Sequence, residues 1–322
     1  MKRIAGALLL VACVGCQDPG AAVGDAAGGP DAARVADAGH VADASPPLDA
    51  AMSDAVVPDA AVPDASHALD AHVTTDAHVT PDAYAASSFP SHPITYPTAT
   101  PFTVNSGTTN YVFVPSSYDA THHTPTTLFV WLHGCGGMSS GDIWTVSPGG
   151  AQSWISMTVG GAEGACWDVN TGPAKVLAAI DELATHFNIA PRRIILGGYS
   201  SGGDLTYRTA FYNAGRFAGI LVENTSPFRD TGSSMAASLA AASWHFHIVH
   251  VAHLQDGTYP IAGVRTETQA VIAAGFPLMR IEVDGGHYDA AGAIENGHPV
   301  PGTDADIATY LFPSLDAGWT SP

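Results

Sequence analysis

The chain has 322 residues, 11 Lys and Arg against 30 Asp and Glu, and a formal net charge of −19. That acidity excludes a nucleic-acid backbone as partner, because such binding needs clustered Lys and Arg. Composition then divides the chain: residues 17–88 hold twelve Asp and one Arg, whereas all six Trp and all eleven Phe lie from residue 89 onward.

The N-terminus reads MKRIAGALLLVACVGC. Two basic residues precede a short apolar stretch, Ile4 to Ala12, which is too short to span a bilayer and suits an export signal over residues 1–16. Leu10-Val11-Ala12-Cys13 resembles a bacterial lipobox, with Cys13 as the lipidated residue and Cys16 as the alternative. A chain that is exported, and either lipid-anchored at a bacterial cell envelope or secreted, is expected. Any membrane contact is then through the lipid.

From Asp25 to Asp82 the dipeptide Asp-Ala recurs eleven times at intervals of five or six residues. A short period can mark a solenoid. Ala, Pro, Asp and Val, however, cannot bury enough apolar area to offset backbone ordering at roughly 1–2 kcal/mol per residue. Residues 17–88 therefore read as a disordered, self-repelling linker, with a coil reach of about 45–50 Å extended further by charge and proline.

The folded domain is expected over 89–322, as one α/β domain. TVNSGTTNYVFVPSSY alternates about a turn and predicts a hairpin ending at Pro115. Leu128 to Leu132 is a continuous apolar run ended by glycines, the pattern of a strand buried on both faces. Val176, Leu177, Ile180, Leu183 and Phe187 recur at helical spacing, with Pro173 near the start. Ile194–Leu196 predicts a strand and Ser201 to about Tyr212 a helix. Strands follow at Ala218–Val222, Phe246–Ala252 and Leu278–Val283, with a helix at Arg265–Ala274 and a last one from about Asp304 to Leu311. Alternating strands and helices predict a mostly parallel, doubly wound sheet, with chemistry beyond the carboxyl ends of its strands.

Gly198-Tyr199-Ser200-Ser201-Gly202 fits G-x-S-x-G between a buried strand and a helix. Glycines two residues either side of Ser200 permit a sharp turn that presents its hydroxyl. Ser201 fails the same frame, being flanked at two residues by Tyr199 and Gly203. A serine needs a histidine to take its proton and a carboxylate behind that histidine. Asp256 and His287 both follow predicted strands, in the order Ser, Asp, His. Glu223 and Asp289 are rival acids; His253 and His298 are rival bases. HGCGG, His133 to Gly137, offers backbone N–H groups for an oxyanion, with Cys135 and Ser201 as the donors. HFHIVHVAH invites a zinc reading, but His245 and His247 would face away from His250 in a strand, and no second set of ligands stands out. No metal or cofactor is expected. Cys135 and Cys166, an even pair in an exported domain, predict a disulfide beside the oxyanion loop.

LHGCGG, CWDVN at 166–170, APRRIILGGYSSGG, HLQDGTYP and GGHYD together resemble secreted α/β-hydrolase esterases of the feruloyl esterase and polyhydroxybutyrate depolymerase group, related to carbohydrate esterase family one. The resemblance covers 128–289. It implies an α/β-hydrolase fold, a nucleophile at Ser200, an acid at Asp256, a base at His287 and oxyanion donors at Cys135 and Ser201. One departure stands at the acid. The group often reads His-Gly there, with Asp four residues after the histidine; here Leu254 follows His253 and the Asp comes three residues on. HGCGG and CWDV are closer to the feruloyl esterases than to the polyester depolymerases. The partner implied is an ester, small or polymeric, met by a monomer. The competing classes are a binding lipoprotein on an inactive hydrolase fold and an acyltransferase using the same three residues.

Overall fold

The computed structural model describes residues 89–149, 152–229, 234–287, 294–295, 298–299 and 303–322. The expectations for the leader, for Cys13 and Cys16, for the Asp-Ala linker and for Asp289 lie outside the described residues.

Strand β3 (Thr126–Leu132) shows how the core is built. Leu128, Val130 and Leu132 point to one face of the sheet and Phe129 and Trp131 to the other, all of them buried. Period-2 side chains on a strand covered on both sides produce the unbroken apolar run seen in the sequence. The first face packs on α2 (Gly172–His186) and α3 (Ser201–Tyr212) through Val176, Ile180, Leu183, Leu205 and Phe211. The second packs on Ile143 of α1 (Ser139–Thr145) and on Ile307, Leu311 and Leu315 near the C-terminus. Truncating any of these side chains to Ala would cost about 2–5 kcal/mol.

The sheet has eight strands in the order β1-β2-β4-β3-β5-β6-β7-β8. Strands β1 (Phe102–Asn105) and β2 (Thr109–Phe113) form the expected hairpin, and β2 runs antiparallel to β4 (Trp154–Thr158). From β4 onward the sheet is parallel: β3, then β5 (Ile189–Tyr199), β6 (Gly219–Glu223), β7 (His247–His253) and β8 (Leu278–Val283). With helices on both faces this is the α/β-hydrolase fold. The chain leaves β3 toward β4 on one side and returns to β5 on the other, so the strand order reverses at β3. The loops after β3 and β5 therefore flank a crevice at the carboxyl edge, where such sheets place their chemistry.

Among the elements that no local pattern announced are α1, β4 and α4 (Met235–Ala241). β4 is five buried residues, WISMT, whose Ser156 and Thr158 break the apolar signal. Those hydroxyls donate instead to the carbonyls of Val146 at 2.8 Å and Ser139 at 2.7 Å. Helix α5 runs Ile261–Ala273, four residues earlier at its start than the periodicity indicated, because Pro260 ends the loop before it. The last helix is a composite of α6 (Thr303–Asp306), a wide π turn (Ile307–Leu311) and α7 (Phe312–Leu315). Pro313 lies just beyond the π turn and has no N–H to donate back into it. A two-stranded ladder pairs β9 (Ile294–Glu295) with β10 (His298–Pro299). Among the described residues no helix is long and apolar enough to cross a membrane.

Candidate active site

Ser200 sits between β5 and α3 with φ 53° and ψ −123°, a left-handed conformation that costs a non-glycine residue energy. Its flanking glycines explain how the turn closes. A Cβ on Gly198 would lie 2.4 Å from the carbonyl oxygen of Gly202. A Cβ on Gly202 would lie 2.1 Å and 2.5 Å from the carbonyl oxygens of Leu132 and His133. Helix α3 thus starts hard against the exit of β3. The Ser200 N–H donates to the Glu223 carbonyl at 3.1 Å, and its carbonyl accepts the first α3 bond from Asp204 at 3.0 Å.

His287 and Asp256 meet Ser200 from the loops after β8 and β7. Ser200 Oγ lies 2.9 Å from His287 Nε2, and His287 Nδ1 lies 2.9 Å from Asp256 Oδ2. The other carboxylate oxygen of Asp256 accepts from the N–H groups of Thr258 at 2.7 Å and Tyr259 at 2.8 Å. Its own loop therefore aims the carboxylate, leaving Oδ2 for the imidazole. With Nδ1–H donating to Asp256, Nε2 presents its lone pair to the serine hydroxyl. The two loops are tied together by Gln255, whose N–H donates to the Gly285 carbonyl at 2.9 Å and whose Oε1 accepts from Gly285 at 2.6 Å.

Two tyrosines absent from the expected set flank the imidazole. Tyr199 stacks on the His287 ring with centroids 5.5 Å apart, and its hydroxyl donates to the His287 carbonyl. Tyr259 approaches from 5.4 Å and donates its hydroxyl to buried Asp204 at 2.7 Å. Burial, and then the Asp204 charge and hydrogen bond, hold the Tyr259 phenol well above its ordinary value, so it stays protonated. Both lie inside motifs already singled out, as the variable position before Ser200 and the third residue after Asp256. Neither position carries a chemical signature by itself.

The loop after β3 is fastened twice over. Cys135 and Cys166 form a disulfide. Around it, Trp167 Nε1 donates to the His133 carbonyl at 3.1 Å, Gly164 N to Gly137 O at 2.9 Å and Gly136 N to Ala165 O at 3.3 Å. A Cβ on Gly134 would lie 3.3 Å from Ser200 Cβ, which places this loop directly beside the serine. Ser201 is the first residue of α3, where backbone N–H groups lack a helical partner. Among the described residues the Ser201 hydroxyl meets the N–H of Trp167, at 3.5 Å.

Glu223 and His253, two of the rivals, sit at the ends of β6 and β7. His253 Nε2 lies 3.9 Å from Glu223 Oε1 and 2.9 Å from Asp306 Oδ2. His298 lies in β10. The His-rich strand splits as its alternation requires: His247 stacks on Trp319 at 4.9 Å, while His250 points inward and bonds the Tyr207 hydroxyl at 2.9 Å. Among the described residues, the one group close enough to share an ion is Glu223, His253 and Asp306, with ligand atoms within 4.8 Å of one another. No such set was legible in the sequence. Its members are 30 and 53 residues apart along the chain, and three separate elements bring them together.

No family model matches the sequence, and no curated protein matches it. Among solved structures the chain is similar to esterase PE8, at 17 % identity over 55 % of this chain and 90 % of that one, with a TM-score of 0.45. It is similar to a thermostable esterase at 16 % identity over 58 % of this chain and 54 % of that one, with a TM-score of 0.43. It is also similar to acyl-protein thioesterase 2 from Zea mays, at 16 % identity over 56 % of this chain and 92 % of that one, with a TM-score of 0.40. At these identities and scores the likenesses add nothing to the site, which rests on the strand order and on the distances between Ser200, His287 and Asp256.

Proposed function

We propose that the chain is an exported serine esterase, in which Ser200 attacks the carbonyl of a carboxylic ester and carries the acyl group. The observation that carries this reading is the unbroken relay from Ser200 Oγ to His287 Nε2 and from His287 Nδ1 to Asp256 Oδ2, each step 2.9 Å. His287 takes the Ser200 proton as the C–O bond forms, and Asp256 stabilises the imidazolium without itself taking a proton. The carbonyl oxygen, now an oxyanion, is received by the N–H groups of Cys135 and Ser201. The loss of one such donor typically costs about 2.7–4 kcal/mol. His287 then returns its proton to the departing alcohol. A water, deprotonated by the same nitrogen, hydrolyses the acyl-serine.

Feruloyl or related plant-polysaccharide esters are the substrate class we favour, on the strength of the HGCGG and CWDV stretches. Two clefts open near these loops. One, of about 400 Å³, follows the oxyanion loop and is lined by Thr108, Thr109, Met138, Ser140 and Glu163 among others. The other, of about 200 Å³, lies against Tyr259 and is lined by Ser226, Arg229, Thr258 and Glu267 among others. Export and a lipid anchor at Cys13 or Cys16 complete the proposal.

A fluorophosphonate probe tests the chemistry: the wild-type chain labels and Ser200→Ala does not. Wild-type protein that stays unlabelled would make this a binding protein on a hydrolase fold. A panel of methyl ferulate, acetylated xylan, hydroxybutyrate polymer and short nitrophenyl esters tests the substrate. Preferential turnover of the polymer would replace the feruloyl reading with the polyester one. Acyl transfer to an added alcohol in place of hydrolysis would make the enzyme a transferase.

A further inference from the structure

His253 is almost wholly buried, and both of its ring nitrogens face acceptors. Nδ1 lies 2.7 Å from the Gly286 carbonyl, which can only accept, so Nδ1 carries a proton. Nε2 lies 2.9 Å from Asp306 Oδ2, and Glu223 Oε1 is 3.9 Å from the same nitrogen. Both nitrogens of the ring are thus held, one by a backbone carbonyl and the other within a buried pair of carboxylates. The residue is also bonded into the loops after β6, β7 and β8. Its N–H donates to Asn224 Oδ1 at 3.1 Å, next to Glu223, whose carbonyl holds the Ser200 N–H. Its carbonyl receives the Asp256 N–H at 3.4 Å, and its ring holds the residue before His287. Asp306 fixes that ring from the C-terminal helical segment.

We infer that His253 is a positioning residue: its buried ring, fixed at Nε2 by Asp306, keeps the loops of Asp256 and His287 in one register by gripping the Gly286 carbonyl. The inference rests on the esterase reading above and adds to it a role for three residues that the triad leaves unused. It touches no substrate atom. Its effect is to hold His287 where Nε2 meets the serine, and a displacement of about 1 Å at such a site can cost on the order of 100-fold in rate.

The test compares His253→Asn with His253→Leu in the full chain. An amide Nδ2 takes the place of Nδ1 and can still donate to the Gly286 carbonyl; leucine fills more of the space and donates nothing. With a short nitrophenyl ester, His253→Leu is expected to lose roughly 10-fold or more in kcat with KM within about twofold, and His253→Asn to recover most of kcat. A leucine variant that keeps kcat while the asparagine variant loses it would show a volume-filling side chain and overturn the inference. Should both variants fail to fold, nitrogen-15 spectra of the wild-type histidine rings still decide it. A proton on His253 Nδ1 is expected. A bare Nδ1, or a stoichiometric metal ion found in the purified protein, would overturn it. Wild-type protein that neither hydrolyses the ester nor takes up a fluorophosphonate would fail the esterase reading instead, and the ring spectrum would still decide the state of His253.

Discussion

Removing the Cys135–Cys166 bridge, by replacing both cysteines with alanine, should separate stability from catalysis in a defined way. The bridge closes a separation of 31 residues. In the loop-entropy model that restricts the unfolded chain by roughly 3–4 kcal/mol. For a domain of this size each kcal/mol moves the melting temperature by about 2–4 °C, so a fall of roughly 10 °C is expected. The folded loop does not come free, because Trp167 Nε1, Gly164 N and Gly136 N keep their bonds across the same gap. Three neutral hydrogen bonds at ~1 kcal/mol each suffice to keep the loop in place but not to hold it rigid. The Cys135 N–H, attached to the bridged residue itself, is the group that gains freedom. With one oxyanion donor worth about 2.7–4 kcal/mol, partial misplacement should lower kcat on a nitrophenyl ester about tenfold at 25 °C, where the domain is still folded. Denaturant unfolding and steady-state kinetics on the same preparation read both quantities. An unchanged kcat in a variant with a lowered unfolding midpoint would mean that the hydrogen bonds alone place the donor. An unchanged midpoint would refute the loop-closure argument.

Three other outcomes are expected. Ser200→Ala and Ser200→Gly should both lack turnover, but the glycine variant should be the more stable by ~1 kcal/mol, because glycine occupies φ 53° and ψ −123° without the penalty a side chain incurs; equal unfolding midpoints would show that the turn is not strained. Gly202→Ala would drive a Cβ to 2.1 Å from one backbone oxygen and 2.5 Å from another, neither able to retreat, so a loss above ~3 kcal/mol or failure to fold is expected, and a wild-type melting curve would contradict the geometry. Burial, and then Arg280, lower the His250 pKa from 6.5 to about 3, so the folded ring refuses a proton that the unfolded chain accepts. Its contribution to stability is complete above about pH 6.5 and is lost as pH falls toward 3, at up to ~1.4 kcal/mol per pH unit; His250→Asn should flatten the stability profile between pH 6 and 4 by about that slope, and identical slopes would count against the assignment.

What the sequence determined by itself is what local pattern encodes. The apolar run of β3, the helical spacing of α2 and the glycines around Ser200 each express a constraint between residues a few positions apart, so strand, helix and sharp turn could be read directly. The order Ser200, Asp256, His287 was legible for the same reason, since each residue follows a readable strand and parallel strands deliver their ends to one edge of the sheet. The even pair Cys135 and Cys166 was legible because only two cysteines lie in the folded segment. Strand β4 was not legible, because Ser156 and Thr158 are satisfied by carbonyls from a helix the sequence did not announce. Tertiary structure alone decided which acid and which base face the serine. Glu223 and His253 also stand at strand ends, and nothing within a few residues of them distinguishes them from Asp256 and His287. The distinction comes from Asp306, which arrives from the C-terminal segment and draws His253 away from the serine, and from the N–H groups of Thr258 and Tyr259, which aim Asp256 at His287. A side chain's partner is set by whichever distant element packs against it, and that contact leaves no period in the sequence.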